Sequence, residues 1–407
     1  MQVSGAMTAS GSRRAPRVPS KARNLFAACL AHAMHDGYTD SLYAFLPVWQ
    51  AQFGLSYAGL AMVRALYYGT MGGLQMPGDR LMRRVTPRAA LALSTLIAGA
   101  GFLLMALPLG IASLCIGLVV AGVGSGIQHP RASQLVAETY GKMARGPLGI
   151  YNFSGDLGKA ALPAAAAVLV PVLAWRPVVG LMALLGLLAT IGLLALAPRV
   201  DATADETAGK GIGSGEPTGF RLLAVIGGLD TATRMGYLLF LPFLIHSRGG
   251  TSATVGLGLA LLFIGGAFGK ATCNRLGNRL GIIGGVMVTE AATAQLIAAT
   301  LFTPLVATLA ILPILGIVLN GTSSLLYGTV PELAPNGDTG RAFAIFYTSV
   351  IGSGGLAPIL YGAIADHSGR TVGILAAAGT AVLIVPLVLA LRPSLICPAT
   401  ADPPRHP

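Results

Sequence analysis

Charged residues are scarce in this 407-residue chain. They make up 10% of it, against about 25% in ordinary soluble domains, while hydrophobic residues make up 54%. This composition excludes a water-soluble globular protein. The four cysteines are scattered without paired spacing, so they indicate neither a structural zinc site nor a disulfide framework.

Sequence signatures of catalysis are also missing. The chain contains no Gly-x-Ser-x-Gly, no His-Glu-x-x-His and no phosphate-binding Gly-x-x-x-x-Gly-Lys-Ser/Thr. We therefore predict that it is neither an enzyme nor an ATP-driven pump, and that it needs no cofactor. The formal charge of +12 comes without a basic soluble module, so we expect no nucleic-acid partner.

Apolar runs of about 20 residues recur along the chain, each long enough to cross a hydrocarbon layer about 30 Å thick as a helix. Lipid offers no partner for backbone N–H and C=O groups, which favours helices over other structures. The fold class predicted is an all-α integral membrane protein. The twelve predicted transmembrane helices have the approximate bounds 24–48, 57–78, 88–108, 110–132, 147–170, 176–198, 220–246, 252–271, 280–302, 304–328, 341–365 and 371–392.

Positive charge is distributed unevenly along the chain. Most of the 27 Lys and Arg residues lie at one predicted side of the membrane, and only Arg176, Arg248 and Arg370 lie at the other. Cytoplasmic loops retain Lys and Arg and contact anionic lipid. We therefore expect a protein of the inner membrane whose two tails, residues 1–23 and 393–407, are cytoplasmic.

The two halves of the chain are repeats. The tripeptide FLP at 45–47 recurs at 240–242, and the same offset of 195 residues aligns further matches in both halves. The longest polar stretch after the N-terminus, residues 199–219, is predicted to be a cytoplasmic linker. We therefore predict two pseudo-symmetric six-helix bundles, 24–198 and 220–392.

The loop after the second predicted span reads GDRLMRR, residues 78–84. It resembles the signature loop of the major facilitator superfamily, Gly-x-x-x-Asp-Arg-x-Gly-Arg-Arg. The resemblance implies the major facilitator fold, with two halves that give alternating access to a central site. The residues expected to act in gating, from this loop and its repeat in the second half, are Asp79, Arg80, Arg83, Arg84, Asn274, Arg275 and Arg279.

Three further stretches resemble the fosmidomycin-resistance subgroup of that superfamily. They are HDGYTDSLYAFLP at 35–47, GVGSGIQHP at 122–130 and RGPLGIYNFSGDLGKAALP at 145–163. Members of the subgroup resemble drug exporters. The resemblance implies proton-coupled efflux of a small polar or anionic molecule or drug, and a cavity lined by the first, fourth, seventh and tenth helices.

The first predicted span carries an ionisable stripe. His32, Asp36 and Asp40 are spaced four residues apart and share one helix face, with His35 beside Asp36. Charge at the centre of a bilayer costs about 3 kcal/mol or more, so the stripe must face an aqueous cavity or find partners. Two carboxylates one turn apart repel, so one of them should bind and release a proton. We predict proton coupling by Asp36 or Asp40, with His35 and His129 as proton relays.

The predicted substrate site collects polar and aromatic residues from several spans. Its members are His32, Tyr43, Arg131, Tyr151, Asn152, Asp230, Arg234, Asn320 and Tyr347. In the predicted mechanism, protonation of Asp36 or Asp40 frees Arg131 or Arg234 to attract the substrate. The expected partners are the lipid bilayer, a small molecule and protons, and we expect a monomer.

Other buried charges are predicted to have chiefly structural roles. Asp156 with Lys159, and Asp230 with Arg234, have the i,i+3 and i,i+4 spacing of self-pairing ions on a helix. Lys270 is expected to support the repeat of the signature loop. Arg64 and Glu290 have no evident partner, and Glu290 is expected near a membrane face.

The same histidines and aspartates allow an alternative function. His32, His35, Asp36 and Asp40, together with His129, offer nitrogen and oxygen ligands suited to a divalent transition metal. The alternative prediction is therefore a metal transporter. The buried bases weigh against it, because they would repel a cation.

Overall fold

The structure, a computed structural model, describes residues 21–82, 84–196 and 217–396. Its regular elements are helices, and most of the predicted tails and of the linker 199–219 lie outside the described residues. The elements are α1 Lys21–Phe53, α2 Tyr57–Met82, α3 Pro87–Ala106, α4 Gly110–Tyr140, a 3-10 turn Gly141–Met143, α5 Arg145–Leu173, α6 Trp175–Leu196, α7 Pro217–His246, α8 Ser252–Phe302, α9 Leu305–Thr329, α10 Thr339–Ser368 and α11 Arg370–Ile396.

The longest helix, α8, consists of two spans joined at a bend. Gly281 has φ 72° and ψ 170°, a conformation that interrupts the helix and that glycine adopts without steric cost. The arms 252–280 and 282–302 overlap the eighth and ninth predicted spans. Each of the twelve predicted spans therefore falls on a helix or an arm, and α9, α10 and α11 are the tenth, eleventh and twelfth.

Nine helical stretches of the described chain are long and apolar enough to cross a membrane. The helices outside that set are α1, α2 and α7. Both α1 and α7 carry buried ionisable residues, among them Asp36 and Asp230. Hydropathy measures the fit to lipid, so helices that are covered by other helices score lower although they lie within the bundle.

The two halves meet along two pairs of helices. In the packing of the bundle α2 lies against α10, and α5 lies against α8. The central helices α1 and α7 contact each other and contain the repeated prolines, Pro47 and Pro242. The largest buried apolar cluster includes Trp49 from α1 and Tyr237 from α7, so it joins both halves.

One end of the bundle is held together by contacts between the halves. We call this the distal end; it contains the turns after α1 and α7, and the opposite end, where α1 begins, is the proximal end. The N–H groups of Tyr57 and Ala58, in the first turn of α2, donate to the carboxylate of Asp366 from α10, at 2.8 and 3.0 Å. The ring of Tyr57 also contacts Phe240 and Phe243 of α7. Asp366 thus satisfies amides that the helix itself leaves unpaired.

Within the first half, α1 and α5 approach closely at glycine. A Cβ atom at Gly158 would overlap the backbone carbonyl of Ala33, and one at Gly37 would come within 2.9 Å of the carbonyl oxygen of Gly158. Small residues let membrane helices pack backbone to backbone. This contact fixes α5, and the polar residues that α5 carries, against the stripe on α1.

We predict that Gly158→Ala lowers the free energy of unfolding by about 1 to 3 kcal/mol, because the added methyl group forces two backbones apart. The matched control is Gly149→Ala on the same helix, where a Cβ meets no described atom within 4 Å. The control should be neutral or slightly stabilising, since alanine is the better helix former. Melting temperatures of the two purified variants in detergent test this, and equal values would contradict the close contact.

Candidate functional site

A cavity lies between the two halves at the level of the ionisable stripe. Its volume is about 130 Å³. It is lined by side chains from both bundles, namely Asp36, Thr39, Asp40, Tyr68, Met71, His129, Lys159, Arg234, Met235, Leu238, Phe263 and Asn320. Five of these residues belong to the predicted proton or substrate sites: Asp36, Asp40, His129, Arg234 and Asn320. The two carboxylates of the stripe, Asp36 and Asp40, therefore face an internal space, as the cost of exposing them to lipid requires.

The nearest cation to Asp36 is a lysine of α5. The ammonium nitrogen of Lys159 lies 3.1 Å from Oδ2 of Asp36, and it also lies 3.9 Å from Oδ1 of Asp156. Lys159 was expected to pair with Asp156, its neighbour three residues earlier. The structure places it closer to Asp36, because the glycine contact brings α5 against α1.

Two histidines complete the surroundings of Asp36. Nε2 of His32 lies 3.5 Å from Oδ2, and Nε2 of His129 lies 3.8 Å from Oδ1. The ring of His32 stacks on Tyr151 at 4.0 Å between centroids and meets His129 edge to face. One ligand atom from each of His32, Asp36 and His129 lies within 4.8 Å of the others.

His35 points away from this group. Its Nδ1 is 2.7 Å from the hydroxyl oxygen of Ser125, and its Nε2 is 3.2 Å from that of Thr95. The side chain is fully buried, and both ring nitrogens are engaged between helices. The structure thus places His35 outside the cavity, where it connects α1 to α3 and α4.

An ion pair joins the two halves beside the cavity. The ammonium nitrogen of Lys270 lies 2.7 Å from Oδ2 of Asp156, so α8 is tied to α5. This differs from the expectation that Lys270 supports the signature loop. Because Lys159 lies closer to Asp36, the shortest ion-pair contact of Asp156 is the one with Lys270 in the other half of the protein.

Asp40 differs from Asp36 in its neighbours. It is 4% exposed, it lines the cavity, and within the described residues it takes part in no ion pair. Four charged groups act electrostatically on its carboxyl group from beyond ion-pair distance. In decreasing order of their effect they are Lys159, Arg64, Asp36 and Arg234. Three of these four are cations.

The second half contributes a polar group on α7. Asp230 and Arg234 were expected to pair directly, but Ser323 lies between them: its hydroxyl donates to Asp230 at 2.8 Å and accepts from Arg234 at 3.3 Å. Arg234 also donates to Asn320 at 3.4 Å. Glu290 was expected near a membrane face; it is instead buried beside Asp230, with its Oε2 unpartnered among the described atoms.

Several predicted substrate residues lie away from the cavity. Arg131 is buried and donates to the side chain of Gln134 and to the carbonyl of Val85. Asn152 is exposed, and Tyr347 is exposed against Tyr327. Arg131 is therefore not part of the cavity lining, and the cation in contact with Asp36 is Lys159.

The residues predicted to act in gating, as far as the structure describes them, lie at the proximal end of the bundle. The side chains of Arg80, Arg84, Arg275 and Arg279 are exposed there. Arg83 and the side chains of Asp79 and Asn274 lie outside the described part of the chain. The gating role of this set stays a prediction.

Four residues that surround the stripe are not among the predicted site residues. The sequence predicts Lys159 and Arg64 to be buried charges outside the site, and it predicts no role for Tyr68 or Met235. The signal for Arg64 and Tyr68 was their i,i+4 spacing on the second span, which puts a cation and a ring on one face. Met235 gives no such signal, since its position follows only from how the halves pack.

Comparison with known proteins agrees with this architecture. Residues 26–222 match the family model of the Major Facilitator Superfamily, over the first bundle and the start of α7. The chain resembles the crystal structure of a bacterial homologue of the human lysosomal transporter Spinster, inward-facing and unoccupied, with a TM-score of 0.73 at 16% identity over 93% of this chain and 98% of that one. The chain has the major facilitator fold.

A second solved structure supports the same fold. It is a POT family transporter in complex with 5-aminolevulinic acid, with a TM-score of 0.73 at 13% identity over 92% of this chain and 96% of that one. Among curated proteins, none matches the sequence. The family match and the major facilitator fold support a multi-pass membrane transporter and not an enzyme, while the fosmidomycin-resistance subgroup stays a prediction.

We predict that Lys159→Met destabilises the protein and that adding Asp36→Asn restores part of the loss. Removing one partner of a buried pair costs about 3 to 5 kcal/mol, and the partial exposure of Lys159 favours the lower end of that range. The double variant leaves no uncompensated charge at the pair, so the two changes should not add.

The control for this cycle is Lys270→Met, a cation whose partner is Asp156. Because Lys159, once released from Asp36, can pair with Asp156, Asp36→Asn should restore a smaller part of this loss than of the loss caused by Lys159→Met. Unfolding midpoints of the purified variants in detergent provide the measurement. Additive effects of Lys159→Met and Asp36→Asn would show that these two side chains are not coupled.

Proposed function

We propose that this protein is a secondary active transporter that moves a small polar or anionic molecule by alternating access, and that a proton on Asp40 drives it. The observation that carries the proposal is the cavity between the halves, in which Asp40 has no ion-pair partner among the described residues. The charge of Asp36 is neutralised by Lys159 at 3.1 Å. Asp40 has no such contact, so a proton can neutralise it instead.

Protonation of Asp40 changes what the cavity attracts. When Asp40 is charged, its carboxylate offsets part of the positive potential of Lys159, Arg64 and Arg234. With Asp40 neutral, these cations are in excess, so an anion binds more tightly. Protonation of Asp40 therefore leaves Lys159, Arg64 and Arg234 free to attract the substrate. Arg131, the other cation predicted for this role, does not line the cavity.

The charge of the substrate sets the direction of coupling. An anion that binds better when Asp40 is protonated moves in the same direction as the proton. Export by proton antiport, which the sequence resemblance implies, requires a substrate that competes with the proton for Asp40, such as a molecule with a cationic or hydrogen-bond-donating group. The electrostatics of this cavity favour the joint movement of an anion and a proton.

We also propose that the protein lies in the inner membrane with both termini in the cytoplasm. The support is the excess of arginine at the proximal end, where Arg80, Arg84, Arg275 and Arg279 are exposed.

We predict that an imposed pH gradient accelerates uptake of the substrate into proteoliposomes and that Asp40→Asn abolishes this acceleration. A thermal-shift screen of small anions, zwitterions and drugs first identifies a ligand, because a bound ligand stabilises the folded state. Asp40→Asn should still exchange labelled for unlabelled substrate, since exchange needs no net proton movement. The control is Asp338→Asn, which changes an exposed cap of α10.

Equal wild-type flux with and without the gradient would remove proton coupling. If Asp40→Asn keeps its response to the gradient and Asp36→Asn loses it, then the coupling carboxyl is Asp36.

A divalent transition metal is the second candidate for the substrate. The observation in its favour is the convergence of His32, Asp36 and His129, because two imidazoles and a carboxylate suit such ions. This set differs from the predicted ligands, since His35 is bound to Ser125 and Thr95, and Asp40 stands one turn away. Lys159 opposes a metal, because it would have to release Asp36 first.

We predict that, if a metal is the cargo, titration of the purified protein with Zn²⁺ or Co²⁺ gives heat that His129→Ala removes. His35→Ala is the matched control and should bind as the wild type does, because its ring does not join the three ligands. The absence of metal-binding heat in the wild type would end this candidate.

A further inference from the structure

Three hydrogen-bond donors converge on the sulfur of one methionine. The hydroxyl groups of Tyr43 and Tyr68 lie 3.2 and 3.6 Å from Sδ of Met235, and Nη2 of Arg64 lies 3.6 Å from the same atom. A thioether sulfur is a weak acceptor with little negative charge. Three donors, one of them a guanidinium, are therefore gathered around an atom that satisfies them poorly.

Arg64 is a buried cation without a counter-ion in the described part of the chain. It is 2% exposed, takes part in no ion pair with a described residue, and its Nε has no hydrogen-bond partner among the described atoms. Its guanidinium carbon lies 4.1 Å from the ring centre of Tyr43 and 4.5 Å from that of Tyr68. The rings offset only part of the cost of burying the charge.

The donor group borders the central cavity. Tyr68 and Met235 line that cavity, and so does Asp40. Arg64 interacts electrostatically with Asp40. The methionine side chain is flexible and can change rotamer at low cost. Moving the sulfur aside would open the two hydroxyl groups and the guanidinium to a molecule in the cavity.

We propose that Met235 holds the place of an anionic group of the substrate, and that a carboxylate or phosphate-like oxyanion displaces its sulfur and accepts hydrogen bonds from Tyr43, Tyr68 and Arg64. This inference rests on the proposed transport function and specifies its substrate as an oxyanion. An oxyanion matches the site because the group is composed of donors, and the guanidinium supplies both charge and a planar pair of N–H groups.

A cation does not match this site. The space between the rings of Tyr43 and Tyr68, which would suit a cationic group, is already taken by Arg64. A neutral apolar group would leave the three donors less satisfied than Met235 does. A neutral carbonyl oxygen would accept these hydrogen bonds better than the sulfur but would leave the charge of Arg64 uncompensated, whereas an oxyanion accepts the hydrogen bonds and compensates the charge.

The donors and the sulfur come from different halves. Tyr43, Arg64 and Tyr68 belong to α1 and α2 of the first bundle, while Met235 belongs to α7 of the second. An anion that takes the donors therefore replaces a contact between the halves by a contact within one half. Occupancy of the site would thus alter how firmly α7 is held to the first bundle.

The test measures equilibrium binding, not transport. Purified protein in detergent is titrated with sodium phosphate, sulfate and acetate, with sodium chloride at matched ionic strength as the reference, and binding is followed by calorimetry and thermal shift. We expect at least one oxyanion to bind the wild type more tightly than chloride does. Arg64→Gln should weaken that binding by about tenfold or more, and Met235→Leu, which removes the competing sulfur at similar size, should strengthen it.

The matched control is Arg221→Gln, an exposed arginine at the start of α7, which should bind as the wild type does. If Arg64→Gln fails to fold, Tyr43→Phe and Tyr68→Phe give the same test, because each removes a hydroxyl and keeps the ring around Arg64. Each should weaken binding severalfold.

The proposal is overturned if no oxyanion binds the wild type more tightly than chloride, or if the Arg64 and tyrosine variants bind as the wild type does. Either result leaves proton-coupled transport of another kind of molecule intact, since that is tested by the response of flux to a pH gradient. Loss of the gradient response with normal oxyanion binding would instead remove proton coupling and leave this site.

Discussion

The ion pair between Lys159 and Asp36 determines how the other charges of the interior are arranged. Hydrocarbon cannot neutralise a charge, so each ionised group has to be neutralised by neighbours or by water in the cavity. Because Lys159 lies against Asp36, Asp156 makes its closest contact with Lys270 of the other half. The same choice leaves Asp40 in the cavity without an ion-pair partner in the described chain.

The geometry behind this arrangement is a backbone contact. Gly158 and Gly37 let α5 and α1 approach until a side chain at Gly158 would have no room. At that separation the lysine one residue after Gly158 reaches across to Asp36, four residues along α1 from His32. A packing feature of small residues therefore sets an electrostatic feature of the site.

Much of the fold could be predicted from the sequence, but only part of the site could. Apolar runs predict helices because they follow from local composition, and the all-helical major facilitator fold confirms that class, while the division into two bundles drawn from the FLP repeat stays a prediction. The stripe on α1 was found because four-residue spacing puts side chains on one face. Lys159 was assigned to Asp156 because spacing along one helix is visible in a sequence, whereas the distance from α5 to α1 is not. Met235 and Arg64 could not be joined for the same reason: they meet only where the two bundles pack.

The charge state of the cavity is linked to the contact between the halves through Lys159. This lysine lies 3.1 Å from Asp36 and 3.9 Å from Asp156, so two acids share one cation. If Asp36 were neutralised, Lys159 would pair with Asp156 alone. The charge of Asp156 would then depend less on Lys270 for its neutralisation. The pair between Asp156 and Lys270 crosses the halves, so its weakening favours their separation beside the cavity. A ligand or proton changes the balance between conformations only by the difference in its interaction with each, and the lysine shared by Asp36 and Asp156 connects a change at Asp36 to the contact between the halves.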